Sequence, residues 1–171
     1  MKNHVLSLTL LAALGWSGVS LLSAQEVPQP QSSPNPLSSF ERLMGGQWHL
    51  DGSYQEFEWG LDKLSVKSRA YFTIGEEAQL VAEGVWYWHP KEKTIKGVFT
   101  AVEMPAVLFD YTTRFEDETM VNDLLTYDEN GAETQYVETW EFSDETHFAW
   151  TLFMKTPEGL QEVMAGTYER R

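Results

Sequence analysis

Gly46-Gln47-Trp48 opens the stretch that decides the fold, because from there to Arg171 the chain reads as strand after strand with no clear helix. Candidate strands are Gly46–Gly52, Tyr54–Trp59, Leu64–Thr73, Ala78–His89, Lys93–Glu103, Val107–Glu116, Thr119–Tyr127, Glu133–Phe142, Thr146–Lys155 and Gln161–Glu169. Between them stand breaks such as Gly60-Leu61-Asp62-Lys63, His89-Pro90-Lys91-Glu92, Met104-Pro105, Asp128-Glu129-Asn130-Gly131, Ser143-Asp144-Glu145 and Thr156-Pro157-Glu158-Gly159. Gly, Pro, Asn and Asp at those points supply the backbone angles that turns require. Short strands punctuated in this way make an all-β sandwich or barrel. Long strands joined by short hairpins favour a closed antiparallel up-and-down barrel of about 8–10 strands with a short N-terminal helix. A barrel of that size either fills with side chains or encloses one small ligand.

Three segments precede the strands. Lys2 and the mostly apolar run Val5 to Leu22, ending in Leu22-Ser23-Ala24, read as a secretory signal peptide over residues 1–24. A membrane anchor is the competing reading, since the run is close to the shortest spanning helix. Residues 25–36 hold Pro28, Pro30, Pro34 and Pro36 among Ser and Gln, a disordered linker composition that cannot pack a core. The domain itself is expected over residues 37–171. Its entry, Ser38-Ser39-Phe40-Glu41, has the form of a capping box. Phe40, Leu43 and Met44 then share a helical face and Gly45-Gly46 stops the helix, giving about two turns to plug one barrel end.

The chain contains no cysteine, so an exported domain of this kind must be held by its core rather than by disulfides. Seven Trp, seven Tyr and nine Phe supply that core. A net charge of −14 repels nucleic acid and anionic lipid and supports solubility. The expected partner is therefore a small molecule, with no nucleic acid and no integral membrane segment after processing. The protein is expected to be periplasmic or secreted, as a monomer or dimer.

Alternation then shows what the strand faces carry. Leu64, Val66, Ala70 and Phe72 alternate with Lys67 and Arg69, and Phe148, Trp150, Leu152 and Met154 share a face. Phe57 and Trp59 alternate with Glu56 and Glu58, which points Trp59 inward. The most suggestive strand is Tyr136-Val137-Glu138-Thr139-Trp140-Glu141-Phe142, where Glu138 shares one side with three aromatics. If that side is inward, Glu138 is a buried polar group that needs a partner, a cation such as Arg69 or Arg114 being one choice. A structural ion pair or an outward face is the bland alternative. On Ala82-Glu83-Gly84-Val85-Trp86-Tyr87-Trp88 both faces are substantially apolar, so the side that looks inward stays open. Glu103, before Met104-Pro105, is placed at a rim.

No metal or cofactor is expected. His49, His89 and His147 lack ligand spacing, and Asp128-Glu129-Asn130-Gly131 lacks a calcium loop's ligand pattern and reads as a hairpin turn. No G-x-S-x-G, phosphate loop or thiol is present, and no catalytic residue is assigned.

Gly46-Gln47-Trp48, with a helix-like segment before it and antiparallel strands after it, resembles the calycin superfamily. Phe57-Glu58-Trp59-Gly60, Glu83-Gly84-Val85-Trp86 and Glu138-Thr139-Trp140-Glu141-Phe142 bring the chain close to bacterial lipocalin-like domains of unassigned function. The resemblance runs from Phe40 to the C-terminus and implies that Trp48 packs across the barrel floor. Haem-binding nitrobindin-type barrels share Gly46, Trp48 and Gly52, but Leu50 replaces their middle glycine and no late inward histidine stands ready for haem iron. The expectation is thus an aromatic-lined barrel for an apolar or amphipathic ligand. Trp48, Trp59, Trp86, Trp140 and Trp150 would line it, and Glu138, with Glu83 or Arg114, would fix a polar end. A cofactor-free isomerase or lyase using a cavity carboxylate, and a filled barrel serving as a protein-interaction module, are the alternatives.

Overall fold

A computed structural model describes residues 34–75 and 77–171. The expected signal peptide and the linker up to residue 33 lie outside the described residues. Ten strands follow one another in sequence: β1 (Trp48–Leu50), β2 (Ser53–Trp59), β3 (Ser65–Ile74), β4 (Glu77–His89) and β5 (Thr94–Ala101), then β6 (Leu108–Glu116), β7 (Thr119–Tyr127), β8 (Glu133–Phe142), β9 (His147–Thr156) and β10 (Gly159–Arg170). Each pairs antiparallel with its neighbours, and β1 joins β2 to β10, so the sheet closes as an up-and-down barrel.

Register settles which face is inside. Opposed residues project to the same side of a sheet, so the chain of partners Val66, Trp86, Gly97, Tyr111, Leu124, Tyr136 and Met154 forms one inward row across seven strands. Trp86 is 2 % exposed within that row, whereas Tyr87 beside it is 37 % exposed, which resolves the ambiguous strand β4. Gly84 and Gly97 face inward too. A Cβ on Gly84 would collide with the Phe99 ring and the Val98 carbonyl oxygen, and one on Gly97 would press on the Trp86 indole. These two glycines make room for neighbouring aromatic rings.

The expected entry helix is a short 3-10 segment, Ser38–Leu43, rather than an α-helix. Its predicted capping box does not form. Instead the Asn35 side-chain oxygen accepts the Leu37 N–H at 2.9 Å, and no side chain caps the segment itself. The plugging role is nevertheless met: Leu37, Phe40 and Leu43 are buried, and the Phe40 ring lies 5.3 Å from Trp86 and 5.1 Å from Phe115. Trp48 completes this floor. Its indole N–H donates to the Leu43 carbonyl oxygen at 3.0 Å, Phe148 packs 4.9 Å away, and the Arg170 guanidinium lies 4.5 Å above its ring.

Trp48 therefore joins the plug, the closing strand and the core. Trp48→Ala is expected to cost about 3–5 kcal/mol, the usual range for emptying a buried Trp site. Trp48→Phe, which keeps an aromatic ring but loses the donor, should cost less, by about 1–3 kcal/mol for the orphaned Leu43 carbonyl. Urea denaturation monitored by far-UV circular dichroism checks both values, and equal losses would place the energy in the hydrogen bond rather than in packing.

Candidate functional site

The interior is layered along the barrel axis. At the plugged end the rings of Trp48, Phe57, Trp86, Trp140, Phe142 and Phe148 interlock, with Trp140 stacked on Phe148 at 4.8 Å. Above them lies a polar layer. Thr113, Asn122 and Glu138 are register partners on β6, β7 and β8, so the pleat sends all three inward. Thr113 Oγ1–H donates to Asn122 Oδ1 at 2.6 Å, Asn122 Nδ2–H donates to Glu138 Oε2 at 2.7 Å, and Trp150 Nε1–H donates to Glu138 Oε1 at 2.6 Å. An indole nitrogen only donates, which makes Oε1 an acceptor. Gln55 Nε2–H donates to the Tyr168 hydroxyl oxygen at 2.9 Å on the β2–β10 side of the same level.

Above this layer the barrel loosens. Tyr136, Leu152 and Met154 face inward by register yet are only half-buried. Met164, opposite Leu152, is 58 % exposed, and Phe72, opposite Ser53, is 41 % exposed. Solvent reaches these inward side chains at the end opposite the plug, where β3 and β10 run past the ends of β2 and β1. The half-buried inward side chains of β8, β9 and β10 there are mainly apolar, and Glu138, 7 % exposed, is the buried carboxylate below them.

Burial drives the electrostatics of this layer. Desolvation raises the Glu138 carboxyl above its ordinary value, while the hydrogen bonds from Trp150 and Asn122 and the neighbouring Trp140 N–H pull it back. The Tyr111 hydroxyl is pushed well up by burial and then by the Glu138 charge, and Tyr168 is raised for the same two reasons. The indole N–H groups of Trp59 and Trp86 are buried without an acceptor, and the buried Trp140 N–H lies near Glu138 without making a full hydrogen bond to it. Orphaned donors of this kind mark places where a water or a ligand atom would be welcome.

The sequence-chosen residues divide into three groups. Glu138, Trp140 and Trp150 come together around the carboxylate. Trp48, Trp59 and Trp86 face inward but belong to the floor and its packing. Glu83 and Arg114 are corrected: both stand on the outer wall. Glu83 follows the outward phase of β4 and pairs loosely with Arg69 at 3.8 Å, and Arg114 binds Glu116 at 2.6 Å and Asp123 at 2.8 Å. Neither reaches Glu138, because each lies one residue out of phase with the inward set. Glu103 is exposed in the loop between β5 and β6. In the Asp128–Gly131 turn, Asp128 Oδ1 accepts the N–H groups of Asn130 and Ala132, both at 2.8 Å, so that oxygen serves the hairpin.

Thr113, Asn122, Tyr111, Tyr168 and Gln55 were not singled out from sequence. Asn122 carried a readable signal, since it interrupts the otherwise apolar alternation Met120, Leu124 on β7. Two surface clefts, about 200 Å³ beside Gly45, Glu58 and Arg69 and about 490 Å³ beside Lys96, Asp110 and Lys155, lie on the outer wall away from Glu138.

The raised Glu138 value gives a signed pH effect. The folded protein holds that proton more tightly than the unfolded chain, so Glu138 contributes most to stability below the ordinary value of 4.5, and the contribution falls as pH rises through its folded value. Gln does not titrate, and Tyr111 and Tyr168 stay protonated throughout this window. The unfolding free energy of wild type relative to Glu138→Gln is thus expected to increase as pH is lowered from neutrality toward 4.5, with a slope of at most about 1.4 kcal/mol per pH unit. Paired denaturant titrations across that range measure it, and a flat difference would contradict the raised value.

Compared with known proteins, the chain matches no family model and no curated protein. The closed ten-stranded antiparallel meander is compatible with a calycin-like fold, and that compatibility rests on topology.

Proposed function

We propose that this is an exported, lipocalin-like protein, periplasmic or secreted, that binds one small apolar or amphipathic molecule in the open half of its barrel. The observation that carries this reading is the placement of one hydrogen-bonded carboxylate, Glu138, beneath an apolar and partly solvent-open mouth. Small-molecule sites combine such an apolar wall with a few fixed polar groups. The apolar part of the ligand would lie against Leu152, Met154, Met164 and Tyr136, with its polar end toward Glu138 and Trp150. Signal-like residues 1–24 support export.

The enzyme alternative has less behind it, because Glu83 stands on the outer wall and Glu103 in an exposed loop, so neither shares the interior with Glu138. The interaction-module alternative draws on a different feature. β1 pairs only with Glu169 and Arg170 of β10, which leaves the exposed stretch from Leu160 to Ala165 without a strand on that side. Open strand edges are templates for pairing.

A neutral solvatochromic dye such as Nile red tests the ligand reading directly. Saturable binding near one equivalent is expected, with a blue-shifted emission. Leu152→Trp, which fills the space beside Glu138, is expected to weaken binding by about tenfold or more through lost room. Native mass spectrometry of protein from its own host should show a retained small molecule. A clean unliganded mass together with no dye binding would sink the proposal and favour the interaction module.

A further inference from the structure

Resting on that reading of the barrel as a binding site, we propose that the ligand is an organic cation, an ammonium group carried on an apolar body, with the ammonium seated against Glu138 and the surrounding aromatic rings. The argument begins with what Glu138 lacks. Both its oxygens accept hydrogen bonds, one from Trp150 and one from Asn122, and the Asn122 amide is itself oriented by Thr113. Acceptance at both oxygens is the pattern that suits the ionised form. Yet among the described residues no Lys, Arg or His forms an ion pair with Glu138.

The cations on β6, β9 and β10 are committed elsewhere. Arg114 and Lys155 serve Asp123 on the outer wall, and Arg170 lies over Trp48 in the floor with its guanidinium donating to the Arg42 carbonyl oxygen. When ionised, a buried carboxylate held by neutral donors alone carries an uncompensated charge, which burial makes expensive. A ligand bringing a positive charge through the mouth would compensate it.

The walls fit the same occupant. Trp140 and Trp150 flank Glu138 on β8 and β9, Tyr168 lies 6.4 Å from the Trp150 ring on β10, and Tyr111 projects inward from β6 two residues before Thr113. Aromatic faces attract cations, most strongly where water is excluded. The apolar mouth at Leu152, Met154 and Met164 would take a hydrocarbon body, and the chain's net charge of −14 would draw cations toward the protein.

Three ligands of one chain length separate the possibilities: octyltrimethylammonium, octanol and octanoate, each titrated into the protein below its aggregation concentration with tryptophan fluorescence and calorimetry as readouts. Octyltrimethylammonium is expected to bind about tenfold or more tighter than octanol, with octanoate weakest. Glu138→Gln should abolish the preference while octanol binding persists. In the wild type, binding of the quaternary cation, which cannot titrate, should weaken as acid protonates Glu138, while octanol binding stays level. Tyr111 and Tyr168 remain neutral over that range. This profile keeps the test decisive if the variant fails to fold. Equal binding of all three overturns the cation proposal and leaves the ligand-binding reading standing. Tighter binding of octanoate also overturns it and points to the orphaned indole donors. A cation preference that survives in Glu138→Gln assigns it to surface charge and overturns the proposal. Failure of all three to bind removes the ligand-binding reading as well.

Discussion

Strand β1 is only three residues long, yet the sheet closes through it, and Trp48 is what keeps it in place. The indole reaches back to the Leu43 carbonyl, so the strand that joins β2 to β10 is tied to the plug beneath it. Gln47 and Arg171 add a reciprocal pair of backbone hydrogen bonds at 2.9 and 2.8 Å that extends the same closing ladder. Ladder bonds over so short a strand are few, so the weight falls on burial of one large aromatic and its ring contacts. Everything that depends on there being an inside, including the position of Glu138, follows from that closure.

The interior divides its work by height. Near the plug, rings of three or more strands meet both stacked and edge to face and leave little for a ligand to do. Near the mouth, inward positions are occupied by Leu152, Met154 and Met164, which do not meet across the barrel well enough to exclude solvent. Between them sits the polar layer, whose members come from β2, β6, β7, β8, β9 and β10 and make directed hydrogen bonds to one another. A half-satisfied network at that depth would cost more than an apolar layer of the same volume. The Glu138 oxygens are well served as acceptors, and its charge is what remains without a counterpart.

Much of this was legible in the chain. All ten strands appear within a few residues of where turn residues and alternation place them, because hairpin punctuation is local chemistry. The inward row Phe148, Trp150, Leu152 and Met154 was readable for the same reason. The entry segment was less so. Ser38 and Glu41 have the spacing of a capping box, but burial of Leu37, Phe40 and Leu43 against the floor holds the segment as a 3-10 turn, and Asn35 accepts the hydrogen bond instead. Strand β4 stayed ambiguous because Tyr87 and Val85 on its outer face are as apolar as Trp86 on its inner one. Arg114 looked like a partner for Glu138 until register put it one residue out of phase.

By itself the sequence determined the strands, their alternation, the absence of disulfides and the presence of a carboxylate among aromatics on one face of β8. These follow from backbone geometry and side-chain period, which act over a few neighbouring residues. Only the tertiary structure decided that this face looks inward, that Asn122 and Trp150 rather than Arg114 or Glu83 meet Glu138, and that the barrel is plugged at one end and loose at the other. Alternation divides a strand into two sides without saying which is inside. That choice is made when β1 closes the sheet and residues far apart in the chain are brought into one register.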